Sequence, residues 1–199
     1  MGDPFDRADV RSATATDIDP AVRTLTRAFE HYPMTRRSLA PDDYLTRLAR
    51  YQRLFLSGIG LPHGRVWVTD DHSAVSVWLT PRTPLSVFAD LAAEFEDISG
   101  SRADVVAMDG PVIEAHRPAE PVWGLAVVGV DPDQRGRGLG RAVIAPGLAA
   151  ADAEGVQAFL ETQDAANLPF YESLGFKVVG EVRLPDDGPM HWAMLRPTP

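Results

Sequence analysis

The sequence holds no cysteine, which excludes disulfides, thiolate metal ligands and a cysteine nucleophile together. Of its 19 basic residues only one is a lysine, Lys177. That lysine lies in the strand-like stretch Gly175-Phe176-Lys177-Val178-Val179, so no lysine closes a glycine loop in the Walker manner, and its apolar neighbours do not build a Schiff-base site. Long apolar runs are missing as well. The longest, Val122 to Val130, is nine residues with two glycines inside it, far short of a membrane span. The first residues are acidic where a secretory leader is basic and apolar, so a cytoplasmic protein with no membrane partner is expected. The five histidines (31, 63, 72, 116 and 191) show no spacing such as His-Glu-x-x-His, and no metal is expected. A Gly-x-Ser-x-Gly elbow is absent, which removes support for serine hydrolysis. The formal charge of −9 opposes polyanions, so nucleic acid is not an expected partner.

What is present is an ordinary globular composition, 45% apolar over 199 residues, which suits one domain over 1–199 with a sizeable core. A short strand is expected over Ala8 to Ala13. Asp19-Pro20 reads as a cap and first helical position, with helical spacing to about His31. A second helix is expected from Pro41 to a stop at Gly58, then strands Arg65–Thr69 and Ala74–Thr80 around the turn Asp70-Asp71-His72. Helices over Leu85–Ile98 and Ala103–Ala115 follow, split by Ser99-Gly100-Ser101. Val122–Val130 reads as a buried strand, and Leu139–Glu154 as a helix kinked at Pro146-Gly147. Gln157–Thr162 is a strand, Leu168–Leu174 a short helix, and Phe176–Arg183 and Met190–Leu195 are closing strands. This order implies an α/β fold with a mixed central sheet flanked by helices.

The segment from Val122 to Arg141 is the most informative. A strand ends at Val130, Asp131-Pro132 turns the chain, and Arg135-Gly136-Arg137-Gly138-Leu139-Gly140 opens a helix. Glycines there expose backbone N–H groups at the positive end of a helix, which suits phosphate or pyrophosphate. Arg135, Arg137 and Arg141 concentrate positive charge in an otherwise acidic chain. The glycine spacing differs from the Gly-x-Gly-x-x-Gly of a dinucleotide fold. Twenty-seven residues after Gly140 comes Asn167-Leu168-Pro169-Phe170-Tyr171-Glu172-Ser173-Leu174-Gly175-Phe176.

Together these motifs resemble the Gcn5-related N-acetyltransferase (GNAT) family. Its acetyl-CoA site joins a strand, an [Arg/Gln]-x-x-Gly-x-[Gly/Ala] pyrophosphate loop and a later Asn…Tyr helix. The resemblance implies a single GNAT domain whose mixed sheet holds acetyl-CoA, as cosubstrate, in a splayed strand pair. Further stretches resemble the members that acetylate aminonucleoside antibiotics: Ala21 to Leu25, Tyr32-Pro33, Ser99 to Arg102, His116-Arg117-Pro118, and Ala158 to Thr162. They imply a small-molecule primary amine as acceptor, puromycin in particular, and an antibiotic-resistance role. Gly124 replaces an aromatic, Gln134-Arg135 replaces a His-Gln pair, and 103–114 diverges; these departures bear on the acceptor and not on the donor. Other amine acceptors, or a non-catalytic acyl-CoA-binding module, are the alternatives, and the oligomeric state is left open.

By this resemblance Val128, Gly129 and Val130 present backbone groups to acetyl-CoA. Arg135, Gly136, Arg137, Gly138, Leu139, Gly140 and Arg141 hold its phosphates. Asn167 caps the short helix and contacts the cosubstrate. Tyr171 both touches the cosubstrate and serves as general acid, since a phenol of pKa about 10 is protonated at pH 7. Glu161, at the end of the following strand, is the candidate to orient a water as base or to bind the acceptor's ammonium form. Phe29, Tyr32, Trp78, Trp123 and Trp192 are candidate flat walls for the acceptor. Without cysteine an acetyl-enzyme on sulfur is excluded, which favours direct attack in a ternary complex.

Overall fold

The computed structural model describes residues 9–198; the expected strand start at Ala8 lies outside them. Seven strands form one sheet in the order β1-β2-β3-β4-β5-β7-β6. They are β1 (Val10–Ser12), β2 (Arg65–Thr69), β3 (Ala74–Leu79), β4 (Trp123–Val130), β5 (Ala158–Thr162), β6 (Lys177–Arg183) and β7 (Met190–Arg196). All neighbours pair antiparallel except β4 and β5, which run parallel. The crossover between them is a helix, as parallel strands require.

The helices are α1 (Ile18–Phe29), α2 (Pro33–Ser38), α3 (Tyr44–Leu54), α4 (Leu61–His63), α5 (Ser86–Asp90), α6 (Ala92–Ser99), α7 (Ala103–Glu114), α8 (Leu139–Glu154) and α9 (Leu168–Glu172). One face of the sheet buries Leu25 and Val22 of α1 with Val66, Val68, Val75, Val77 and Val127. The other buries Ile144 and Ala151 of α8 with Trp78, Trp123, Leu125, Leu160 and Met194.

Several boundaries differ from expectation for identifiable reasons. α1 starts at Ile18, not after Asp19, because Asp17 organises the turn ahead of it. Its carboxylate accepts from the Thr14 backbone N–H at 2.7 Å and from Arg11 at 2.7 and 2.8 Å. Pro20 is tolerated in the first turn, where N–H groups lack intrahelical partners anyway. Gly58 does not stop the second helix; the chain widens into a π-helical turn over Phe55–Gly60 and re-enters α4. The helix α2 has no counterpart in the sequence reading. It starts with Pro33 after an extended Tyr32, a proline-first helix too short to show periodicity.

The Asp17 carboxyl is held well below the usual carboxylate range, first by Arg11 and then by His72 and Thr14, against the opposing cost of burial. A depressed folded-state pKa stabilises the fold above the unfolded-state value near 4, and that contribution is lost as pH falls below it. Asp17→Asn is therefore expected to cost roughly 1.5–3 kcal/mol at pH 7. The gap to wild type should shrink in urea titrations carried down through pH 3. An equal gap at pH 3 and pH 7 would remove Asp17 as a source of acid sensitivity.

Candidate acetyl-transfer site

The central feature is the way β4 leaves β5. The two strands pair only over Trp123↔Ala158, Gly124↔Phe159 and Leu125↔Leu160. Beyond Leu125 the pairing ends, and Val127 to Val130 stay bonded to β3 alone. The cause lies in the β3–β4 register, where Val77 faces Val127 but Trp78 faces Leu125. Ala126 is the extra residue of a bulge, and a bulge bends its strand. The bulge also switches which side chains face which layer: Leu125 packs with α8, whereas Val127 packs with α1. Ala126 is exposed in mid-strand, and Val128 and Val130 are half-buried. The fully buried strand expected from the apolar run is thus open along the gap.

Gly129 faces α1 with its Cα. A Cβ there would stand 2.7 Å from Leu25 and 3.0 Å from Ala28, so the missing side chain lets α1 lie against the strand. The loop after β4 is fixed to the same helix, with Arg27 donating to Asp131 at 2.5 Å and to Asp133 at 2.8 Å. Gly136 and Gly138 adopt left-handed φ of 77° and 78°, and a Cβ at either would meet nothing within 4 Å. Gly138 is the residue before α8, and Leu139, buried, anchors that helix against β3 and β4. Gly136 and Gly138 thus line open space just ahead of a 16-residue helix, whose first-turn N–H groups lack intrahelical partners. Arg135 and Arg137 are exposed beside it, Arg137 held by Gln134. Arg141 donates to the Ser173 hydroxyl at 2.7 Å, tying α8 to α9's C-terminal end. A Cβ at Gly140 would stand 3.5 Å from both Phe170 and Val130, so the first turn of α8 lies close to β4 and α9.

On the other side of the gap stands α9. Asn167 precedes it, but its side chain does not cap the helix. It donates to the Thr162 hydroxyl at 3.2 Å, at the end of β5. Tyr171 is buried against Phe170 and Phe176, at ring distances of 5.3 and 6.2 Å. Burial, and then the neighbouring Tyr32 hydroxyl, push its phenol above the ordinary value. Tyr32 reaches across from the α1–α2 turn. Its hydroxyl accepts from the Gln163 backbone N–H at 2.9 Å, donates to Gln163 Oε1 at 3.1 Å and lies 3.2 Å from Thr162 Oγ1. Phe29 packs edge-on against the Tyr32 ring at 5.2 Å.

Glu161 is not a free carboxylate. Arg117 grips both its oxygens at 2.9 Å, and His191 Nε2 lies 3.8 Å away. Tyr51 belongs to the same neighbourhood: its phenol is pushed up to about 12 by burial, with Arg117 opposing and Glu161 adding to the shift. Phe55 and Phe95 surround the Tyr51 ring at 5.7 Å. Arg117, Tyr51, Thr162, Gln163 and His191 were not among the expected site residues. Alternation along β5 separates Glu161 from Thr162, but nothing local in the sequence pairs Arg117 with a strand 44 residues away.

Two expected pocket walls are core instead. Trp78 is fully buried and Trp123 nearly so; they pack edge-on at 6.3 Å, and the Trp123 indole donates to Glu154 at 3.1 Å. Both lie on the α8 side of the sheet, ahead of the bulge. Trp192 is half-buried on β7, opposite Thr162 in the register. The expected grouping thus divides. Phe29, Tyr32, Tyr171, Asn167 and the glycine loop border the gap, while Trp78 and Trp123 do not. No group of three or more metal-ligating side chains occurs among the described residues.

This strand-gap-loop-helix arrangement defines a GNAT fold, and the comparisons agree. Residues 101–178 match the family model described as an acetyltransferase (GNAT) domain. That match covers less than half of the chain; over the whole described length the sheet and its flanking helices have the GNAT fold. Among curated relatives, a mycothiol acetyltransferase of Thermobispora bispora is 44% identical over 59 residues, covering 28% of this chain and 20% of that protein. This chain's match thus spans about a fifth of the length of that relative. Among solved structures, one from Corynebacterium glutamicum, described as histone acetyltransferase HPA2 and related acetyltransferase, superposes with a TM-score of 0.72. It is 25% identical, and 96% of each chain is covered. A Drosophila melanogaster polyamine N-acetyltransferase shares the fold at a TM-score of 0.64 and 14% identity, covering 94% of this chain and 98% of that one. No helix among the described residues is long and apolar enough to cross a membrane.

Proposed function

We propose that this protein transfers acetyl from acetyl-CoA to the primary amine of a small molecule by direct attack in a ternary complex. The observation that carries the reading is the β4–β5 gap beyond Leu125 and Leu160. It is bordered by the open glycine turn on one side and by the Tyr171 phenol, which has no described protein hydrogen bond, on the other. Backbone groups of Val128 to Val130 no longer shared with β5 serve the acyl carrier and polarise the thioester carbonyl as negative charge develops. The glycine turn, Arg135 and Arg137 face the phosphates. The amine nitrogen attacks the carbonyl carbon, and the C–S bond breaks. Tyr171, held protonated, donates to the departing sulfur, and the proton released from the amine leaves toward solvent.

A base of high strength is not required for an α-amine of pKa about 7.7, roughly a third of which is neutral near pH 7.5. This fits the engagement of Glu161 by Arg117, which leaves Glu161 to shape the acceptor side rather than to stand as an unpaired base. The aromatic residues Phe29, Tyr32, Tyr51 and Phe55 suit an acceptor with flat apolar parts. The acceptor we assign within that class is puromycin, on the stretches shared with aminonucleoside acetyltransferases. Acetylation removes the charge and nucleophilicity of such an amine, and the proposed role is antibiotic resistance in the cytoplasm.

The test is thiol release from acetyl-CoA with a panel holding puromycin, arylalkylamines, agmatine and lysine peptides. Turnover concentrated on puromycin is expected. Turnover confined to lysine peptides would overturn the acceptor assignment, and no turnover on any amine would overturn the activity. The donor half is tested separately by Gly138→Val. Left-handed φ costs a β-branched residue roughly 1–2 kcal/mol, and the new side chain enters the space reserved for phosphates. Titration calorimetry is expected to show CoA binding lost with the fold retained; saturable binding at wild-type affinity would defeat the loop assignment.

A further inference from the structure

His191 is the most enclosed titratable group on the acceptor side, and the proposed mechanism leaves it idle. It is fully buried, and its Nε2 has no hydrogen-bond partner. Its Nδ1 lies 2.7 Å from Gln163 Nε2. The Gln163 amide is oriented at its other end by Tyr32, whose hydroxyl donates to Oε1 at 3.1 Å. An amide that accepts from Tyr32 has only its NH2 left for the imidazole. His191 Nδ1 is therefore an acceptor, and the neutral ring carries its proton on Nε2, facing Glu161 Oε1 at 3.8 Å. A directed chain results. Asn167 donates to Thr162, Thr162 lies against Tyr32, Tyr32 donates to Gln163, and Gln163 donates to His191.

We infer that His191 and Gln163 are positioning residues for acetyl transfer, the neutral imidazole fixing the Gln163 amide so that the Tyr32 proton is directed away from Tyr171. This rests on the acetyltransferase reading above. Protonation of His191 would place a second N–H on Nδ1, facing the Gln163 NH2. Two donors cannot share one contact, so the amide must turn its Oε1 to the ring. Its NH2 then faces Tyr32, which loses its acceptor and must redirect its own proton toward Thr162 or Tyr171. A charge change on β7 thus rearranges the hydrogen bonds beside the general acid without moving the backbone.

The groups facing His191 are Glu161 on β5 and His116 and Arg117 on the segment after α7, with the His116 ring 6.3 Å away. Burial lowers the imidazole pKa below its ordinary value; Glu161 opposes this, and His116 and Arg117 add to it. The neutral form therefore holds at pH 7, and the switch falls on the acid side of 6.5.

Two variants test this. His191→Asn offers an amide oxygen near the place of Nδ1 but cannot be protonated; His191→Leu offers neither. The measured quantity is the ratio of variant to wild-type kcat over pH 5–8, which cancels ionisation of the acceptor. His191→Leu is expected to fall at least tenfold at pH 7.5, and His191→Asn to recover most of that loss. The Asn/wild-type ratio should rise as pH drops below 6.5. In parallel, 15N spectra of the wild-type ring should show the Nε2–H tautomer at pH 7.5. A flat ratio, full activity in His191→Leu, or the Nδ1–H tautomer overturns the inference while leaving the function intact. Absence of wild-type turnover overturns the function and this inference with it.

Discussion

Tyr171→Phe is expected to lower kcat for acetyl transfer by roughly 100- to 1,000-fold, within the range of general acid catalysis, while CoA affinity and melting temperature stay near wild type. The ring is buried between Phe170 and Phe176, and removing one oxygen leaves that packing in place. No described protein group hydrogen-bonds the hydroxyl, so the substitution leaves no partner stranded, the usual source of large stability losses. Because burial and Tyr32 hold the phenol protonated, the wild-type profile should show no limb from Tyr171 below pH 9. Steady-state kinetics with calorimetric CoA titration check both halves. Unchanged kcat would remove Tyr171 from the mechanism, and equal losses in kcat and CoA affinity would make it a packing residue.

Gly147→Ala gives the second large effect, and its sign runs against propensity. Alanine in a helix interior is ordinarily favoured over glycine by about 1 kcal/mol. Here a Cβ would stand 2.2 Å from Trp78 Cε2 and 2.5 Å from its Nε1. The Trp78 ring is fully buried and packs edge-on against Trp123, so it has no room to withdraw. Overpacking of this kind costs about 3 kcal/mol, which for a chain of this length lowers Tm by roughly 2–4 °C per kcal/mol. The double variant Gly147→Ala with Trp78→Leu should be less destabilised than the sum of the two single changes. Thermal melts of the four proteins decide it. Additive losses would show that the two residues do not press on one another.

These predictions differ in how far the sequence announced them. The glycine turn ahead of α8 and the short helix that carries Tyr171 were legible because their signals are local. Left-handed glycines ahead of a helix, and an Asn…Tyr segment beginning a second one, are patterns a few residues long. The Pro146-Gly147 pair was legible only as a disturbance. Its proline suggested a kink, whereas the glycine serves as the flat seat for an indole 69 residues earlier. Trp78 and Trp123 were read as pocket walls because aromatic residues in strands serve either purpose. The Ala126 bulge, beyond which β4 changes the face it turns to α8, leaves no mark in an unbroken apolar run. Glu161 was placed correctly at the end of β5, but its partner Arg117 comes from a segment with no periodic signal.

By itself the sequence determined the α/β order, the positions of nearly every strand, the glycine turn ahead of α8 and the absence of a cysteine route. Each depends on residue type and short-range spacing. Only the tertiary structure decided which face each strand side chain takes beyond the bulge, that Glu161 is bound to Arg117, and that Tyr32, Gln163 and His191 form one chain. The physical reason is the same in all three. A bulge, an ion pair and a directed hydrogen bond are set by distances across the sheet, and a one-residue slip of register would undo each of them.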